Sequence, residues 1–150
     1  MSEDLLAGYP VVVRIPVQWG DMDAYGHVNN TVFFRYFESA RVDYLVRCGF
    51  VDAYDTDKIG AILHSTSCRF RKPLFYPDSA LVGARASEVQ EDRFTLEYKL
   101  VSVAQNALAA EGTSIVVSLN YVTREIVSIP GRVRELIEQI EEQAVSSGAK

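Results

Sequence analysis

The sequence predicts an α+β domain in which one long helix covers one face of an antiparallel sheet. Three observations carry that prediction. Phe33, Phe37, Ala40 and Tyr44 recur at the spacing of one buried helix face, with Arg35, Glu38, Ser39 and Asp43 on the other side. Four long β-rich stretches follow in succession, and in Phe94 to Val103 apolar Phe94, Leu96, Tyr98 and Leu100 alternate with Thr95, Glu97, Lys99 and Val101. A short amphipathic stretch after Pro130 closes the chain.

In order along the chain, Val11 to Trp19 reads as a strand with an interruption, a bulge or edge position, at Pro16. Gly20 to His27 is rich in Asp and Gly without apolar periodicity and reads as a structured loop. Asn29 or Asn30 is placed to cap the helix, which runs to about Cys48, with Gly49 ending it. A polar loop is expected through Asp57. The four later strands are Ile59 to Phe70, Ala80 to Val89, Phe94 to Val103 and Ala107 to Val122, with a hairpin turn at Gln105-Asn106. Val133, Leu136, Ile137 and Ile140 form the stripe of the terminal helix, and Ser146 to Lys150 is expected to fray.

The 150 residues, 48% hydrophobic and 23% charged, fit one domain over 1–150 with an ordinary core. A net charge of −5 opposes non-specific binding to a nucleic-acid backbone, so no nucleic-acid partner is expected. No stretch approaches the roughly 20 consecutive apolar residues of a membrane span, and the start Met1-Ser2-Glu3-Asp4 is acidic where a secretory signal is basic; a cytoplasmic protein is expected. Cys48 and Cys68 make a poor disulfide framework for a domain of this size and are expected as free buried thiols.

Chemistry concentrates in Trp19-Gly20-Asp21-Met22-Asp23-Ala24-Tyr25-Gly26-His27-Val28-Asn29-Asn30, between a strand end and a helix start. Unpaired N–H groups and partial positive charge at a helix N-terminus suit an oxygen that becomes negative during reaction. A nearby carboxylate can activate water or attack a carbonyl itself. Asp and Asn before a helix are more often plain caps, so residue types alone leave both readings open. No Gly-x-Ser-x-Gly elbow is present, His27, His64, Cys48 and Cys68 include no close zinc-ligand pair, and no Gly-rich cofactor loop occurs; no metal or cofactor is expected.

The segment Gln18 to Asn30, followed by Phe33-Phe34-Arg35-Tyr36-Phe37-Glu38, resembles the signature of the 4-hydroxybenzoyl-CoA thioesterase group of hot-dog-fold proteins. The resemblance extends through Arg69-Phe70-Arg71-Lys72-Pro73 and Tyr76-Pro77-Asp78, and the strand order fits the hot-dog fold over nearly the whole chain. It implies an acyl-CoA thioester hydrolase with Asp23 as general base or nucleophile and the backbone N–H of Asn30 as the donor to the thioester carbonyl. It also implies a homodimer joined edge to edge through its sheets, commonly paired into a homotetramer. His27-Val28-Asn29-Asn30 replaces the apolar and aromatic run of the hydroxybenzoyl enzyme, so the reaction carries over and the aryl substrate does not.

Around that core, Asp21 reads as a structural acceptor for its own loop. His27 reads equally as a partner of the thioester or its attacking water and as a local structural group, and Asn29 as substrate contact or cap. Glu38, a rival carboxylate on the helix, is explained by pairing with Arg35 or Arg41, three residues away on either side. Arg69, Arg71 and Lys72 are expected either to meet the nucleotide phosphates of CoA or to be solvated charges; the two arginines should point away from the helix-covered face. Competing functions are a thioesterase acting on acyl carrier protein, a non-catalytic acyl-CoA-binding subunit, and a hot-dog hydratase.

Overall fold

A computed structural model describes residues 2–148. The elements are β1 (Val11–Pro16), α1 (Asn30–Arg47), α2 (Phe50–Asp57), β2 (Ile59–Phe70), β3 (Ser79–Ser87), β4 (Arg93–Ser102), β5 (Ala107–Asn120) and α3 (Gly131–Gly148). The strands form one antiparallel sheet in the order β1-β3-β4-β5-β2, which leaves β1 and β2 as its edges.

The stripe read from the sequence is the one α1 buries: Phe33, Phe37, Ala40 and Tyr44 are all buried, and Phe37 stacks on Tyr98 of β4 with ring centroids 4.8 Å apart. Burying each such aromatic ring is worth roughly 1.5–3 kcal/mol, so this contact line fixes the helix across the sheet. The helix lies close because Gly112 of β5 sits beneath it. A Cβ there would overlap both the Phe37 ring and the backbone carbonyl of Ser67. On the side of β3, Tyr44 donates to Glu141 of α3 at 2.6 Å, and the same carboxylate oxygen accepts from the Ala86 amide at 3.0 Å. Val133 and Ile137 of α3 are buried, and Leu136 and Ile140 pack beside them.

Several expected boundaries move. The first strand ends at Pro16, paired with Ser79, and does not continue to Trp19. Proline has no N–H to extend the ladder, and the Asp21 carboxylate accepts from the Gln18 amide at 3.1 Å, turning Trp19–Asp21 into a 3-10 turn. The polar loop expected before β2 is the helix α2. Gly49 adopts a left-handed φ of 89°, ending α1 and starting α2, and buried Phe50 stacks on Phe94 at 6.3 Å to hold the short helix in place. β3 stops before Glu88, whose φ is 49°. β5 stops at Asn120, whose side chain accepts from the amides of Val122 and Thr123 and bends the chain. The Gln105-Asn106 turn is present, with Asn106 at φ 49°. Of the tail expected over Ser146 to Lys150, the part through Gly148 continues α3, and Ala149 and Lys150 lie outside the described residues. Cys48 is buried, Cys68 half-buried, and both are free.

Candidate active site

The loop between β1 and α1 is held by two aspartates with different surroundings. Asp21 faces α1: one carboxylate oxygen accepts from the Gln18 amide at 3.1 Å and from the Tyr36 hydroxyl at 3.3 Å, and the other lies 3.8 Å from the Arg35 guanidinium. Its backbone carbonyl also accepts from the Asn29 amide at 3.0 Å. Burial, and then the Asp21 charge, push the Tyr36 phenol far above its ordinary range, so it remains a donor. Asp21 therefore closes the loop onto the helix, as its sequence context suggests.

Asp23 forms the inner turn. Its amide donates to the His27 carbonyl at 3.0 Å, its carbonyl accepts from Gly26 at 3.0 Å, and Gly26 takes the left-handed φ of 86° that this turn requires. One carboxylate oxygen accepts from the Tyr25 amide at 2.9 Å, the other from the Asn29 side-chain amide at 3.4 Å. Asn29 is the N-cap of α1, its side-chain oxygen accepting from the Thr31 amide at 3.0 Å and the Thr31 hydroxyl at 2.8 Å. Capping turns the amide oxygen toward the helix and thereby turns its NH2 toward Asp23. Asn30 is the first helical residue, and its N–H has no acceptor among the described residues.

These groups open on one cavity of about 310 Å³. Asp23, His27, Val28 and Asn30 form one wall, from the loop and the helix start; Phe70, Lys72 and Pro73, from the end of β2 and beyond, form another, with Phe33 of α1 between them. The walls are fastened where the Val28 amide donates to the Leu74 carbonyl at 2.8 Å. The Phe33 and Phe70 rings meet edge to face at 5.1 Å, and the His27 ring stands edge-on to Phe75 at 6.4 Å. An apolar lining around a carboxylate and a free helix-terminal N–H gives a base or nucleophile, an oxyanion donor and room for an acyl group.

Of the residues singled out from sequence, Asp23, His27, Asn30 and Lys72 line this cavity and Asn29 supports it from behind. Arg69 and Arg71 do not join them. Arg71 is bound through two nitrogens to Glu111 at 2.8 and 3.0 Å, and Arg69 lines a separate recess. The contact of Phe70 with Phe33 shows that the alternating arginines face away from the helix, as expected. Glu38 lies on the exposed side of α1, 3.9 Å from Arg41, whereas Arg35 turns to Asp21. Val28, Phe33, Phe70 and Pro73 were not singled out as site residues. Phe70 was legible as an inward position by its alternation with the arginines.

The recess of about 370 Å³ that Arg69 lines with Tyr9, Glu97, Glu111 and Thr113 is larger. Glu111 and Thr113 alternate with Gly112, which faces α1, so this recess lies on the outer face of the sheet. Its carboxylates are paired with Arg71 and Arg85, and it holds no helix terminus, so the smaller cavity is the candidate for chemistry. Burial pushes the Cys48 thiol up to about 12 and the Cys68 thiol up to about 11, which leaves both un-ionised near neutral pH. Among the described residues no group of three or more His, Cys, Asp or Glu is placed to hold a metal ion.

A five-stranded antiparallel sheet wrapped on one long helix is the hot-dog arrangement. The chain belongs to the Thioesterase-like superfamily, whose family model matches residues 17–137. It is thus a thioester hydrolase by class. A protein of Aquifex aeolicus (strain VF5), provisionally named an esterase, is 34% identical over 129 residues, covering 85% of this chain and 98% of its own. A thioesterase from Thermus thermophilus, solved with coenzyme A and zinc, superposes with a TM-score of 0.79 at 27% identity, over 90% of this chain and 96% of its own. A gentisyl-coenzyme A thioesterase superposes with a TM-score of 0.73 at 26% identity, over 84% of this chain and 98% of its own. Among the described residues no helix is long and apolar enough to cross a membrane.

Proposed function

We propose that this protein hydrolyses acyl-CoA thioesters to free acid and CoA, with Asp23 as the catalytic carboxylate and the Asn30 N–H as oxyanion donor. The observation that carries this reading is that both groups open on one apolar-walled cavity, one a carboxylate with incomplete hydrogen bonding and the other a free helix-terminal donor. The coenzyme A in the Thermus thermophilus structure and the acyl-CoA substrate named for the gentisyl enzyme support CoA as the carrier.

With the thioester carbonyl oxygen at the Asn30 N–H, negative charge forming on that oxygen meets the positive end of α1. In the base route, Asp23 takes a proton from water as the water oxygen bonds to the carbonyl carbon. The tetrahedral intermediate then breaks its C–S bond, and the proton held by Asp23 passes to the departing thiolate. In the nucleophile route, an Asp23 oxygen bonds to the carbonyl carbon, the thiolate leaves and takes a proton from solvent, and water cleaves the resulting anhydride. Tyr25 and Asn29 hold the carboxylate, and His27, whose side chain has no hydrogen bond among the described residues, is available to the thioester or the water. Of Arg69 and Arg71, Arg69 is the one free of an ion pair among the described residues, and it is the member left to meet nucleotide phosphates.

Thiol release from short, long, branched and aryl acyl-CoAs without added metal tests the reaction; absence of release from the whole panel sinks it. Label on Asp23 after single turnover in 18O water establishes the nucleophile route, with water attacking the Asp23 carbonyl of the anhydride. We further propose that the working unit is a homodimer, paired in turn as a tetramer, because β2 is an open sheet edge with Ile62 and Leu63 about two-fifths exposed. A fully active monomer at assay concentration, seen by analytical ultracentrifugation, would contradict it.

A further inference from the structure

The cationic cluster at the end of β2 is divided by the fold. Through Phe70 the strand alternates, sending Arg69 and Arg71 outward and Phe70 onto Phe33. The chain then turns: the amides of Arg71 and Lys72 both donate to the Ala109 carbonyl, at 2.7 and 3.0 Å. That turn ends the alternation and sends Lys72 into the wall of the cavity that holds Asp23, beside Phe70 and Pro73. Its ammonium has no ion pair among the described residues, whereas Arg71, its neighbour, is neutralised by Glu111.

Its place beside Asp23 sets Lys72 nearer the acyl end of a bound thioester than the phosphates. The pantetheine arm separates the thioester sulfur from the first phosphate by the length of roughly four extended residues, about 14 Å. A side chain lining the same cavity of about 310 Å³ as Asp23 is nearer the thioester end of that arm than its phosphate end. Lys72 also shares that lining with the apolar Phe33, Phe70 and Pro73. An unpaired ammonium there favours an acyl group that brings its own negative oxygen, and charge-assisted pairs are the stronger class of hydrogen bond.

We infer that Lys72 is a specificity-determining residue that selects acyl groups carrying a carboxylate, by pairing with that carboxylate in the Asp23 cavity. The inference rests on the acyl-CoA reading of the site, so its test does not depend on turnover. Two non-hydrolysable thioethers, S-(4-carboxybutyl)-CoA and S-pentyl-CoA, differ only in the terminal carboxylate. Their affinities for wild type, Lys72→Met and Lys72→Arg are measured by calorimetry, and the same pair is repeated on pantetheine without the nucleotide.

The ratio favouring the carboxylate analogue falls about tenfold in Lys72→Met, is kept in Lys72→Arg, and falls equally in the pantetheine series. An unchanged ratio in Lys72→Met overturns the inference. So does an equal loss on both analogues that vanishes without the nucleotide, which would return Lys72 to the phosphates, or a failure of either CoA analogue to bind wild type. A Lys72→Met protein that is unfolded by circular dichroism leaves the decision to Lys72→Gln in the same assay. Absence of thiol release, by contrast, sinks the hydrolytic reading and leaves these ratios readable.

Discussion

Asp23 and Asp78 are two half-buried aspartates at turns, and they are finished to different degrees. Asp78 accepts from the Ser79 amide at 2.6 Å and the Ala104 amide at 2.8 Å with one oxygen, and from the Ser102 hydroxyl at 2.5 Å with the other. Its backbone carbonyl adds the Val17 amide at 3.0 Å, so one residue ties the exit of β1 and the start of β3 to the turn between β4 and β5. Asp23 accepts one good bond and one long one, and faces a cavity. A carboxylate saturated by short bonds to several elements is a fastener. One left short of partners beside a free N–H has capacity for a reacting proton or carbon.

The largest effect expected from this contrast is in Asp23→Asn, which keeps shape and most bonding but removes the charge: turnover falls by at least ~10²-fold while the thermal midpoint barely moves. A folded variant with near-normal kcat breaks the comparison. Asp78→Ala should do the reverse, costing about 2–3 kcal/mol from lost charge-assisted bonds, or a melting midpoint lower by roughly 5–10 °C, with kcat per folded molecule within a few-fold of wild type. Calorimetric melting beside an active-site-normalised rate checks both halves of that statement. Asp21→Asn is the smallest case. Its partners lie on one loop and one helix, so it loses about 1 kcal/mol in urea unfolding, and its kcat falls far less than that of Asp23→Asn.

What the sequence made legible follows the strength of local pattern. The stripe Phe33, Phe37, Ala40 and Tyr44 and the alternation through Phe94 to Leu100 are long periodic signals, and both are buried as read. The helix Phe50–Asp57 was missed because it is short and polar and buries only Phe50; a ring stacked on Phe94, distant in sequence, holds it. In the candidate site, the spacing of Asp21, Asp23 and Asn29-Asn30 between strand and helix was visible, so their proximity could be anticipated. The separation of Lys72 from Arg71 was not. It depends on two successive amides sharing the Ala109 carbonyl, a tertiary event with no mark in residues 69–72. The partners of Arg35 were similarly hidden: helical spacing suggested Glu38, and the folded loop brought Asp21 instead.

Gly112 has a consequence for how such a site can change. The position of the Asn30 amide depends on where α1 rests, and α1 rests as low as it does because a strand residue beneath Phe37 lacks a side chain. Gly112 is absent from the lining of the Asp23 cavity, yet it acts as a spacer of zero thickness between scaffold and reactive end. One added methyl would have to lift the helix or displace the Phe37 ring, moving the oxyanion donor relative to a carboxylate that the loop holds separately. The alignment of the two reacting groups is thus a tolerance set at the middle of the sheet, and it can be lost or retuned there with every residue of the cavity wall unchanged.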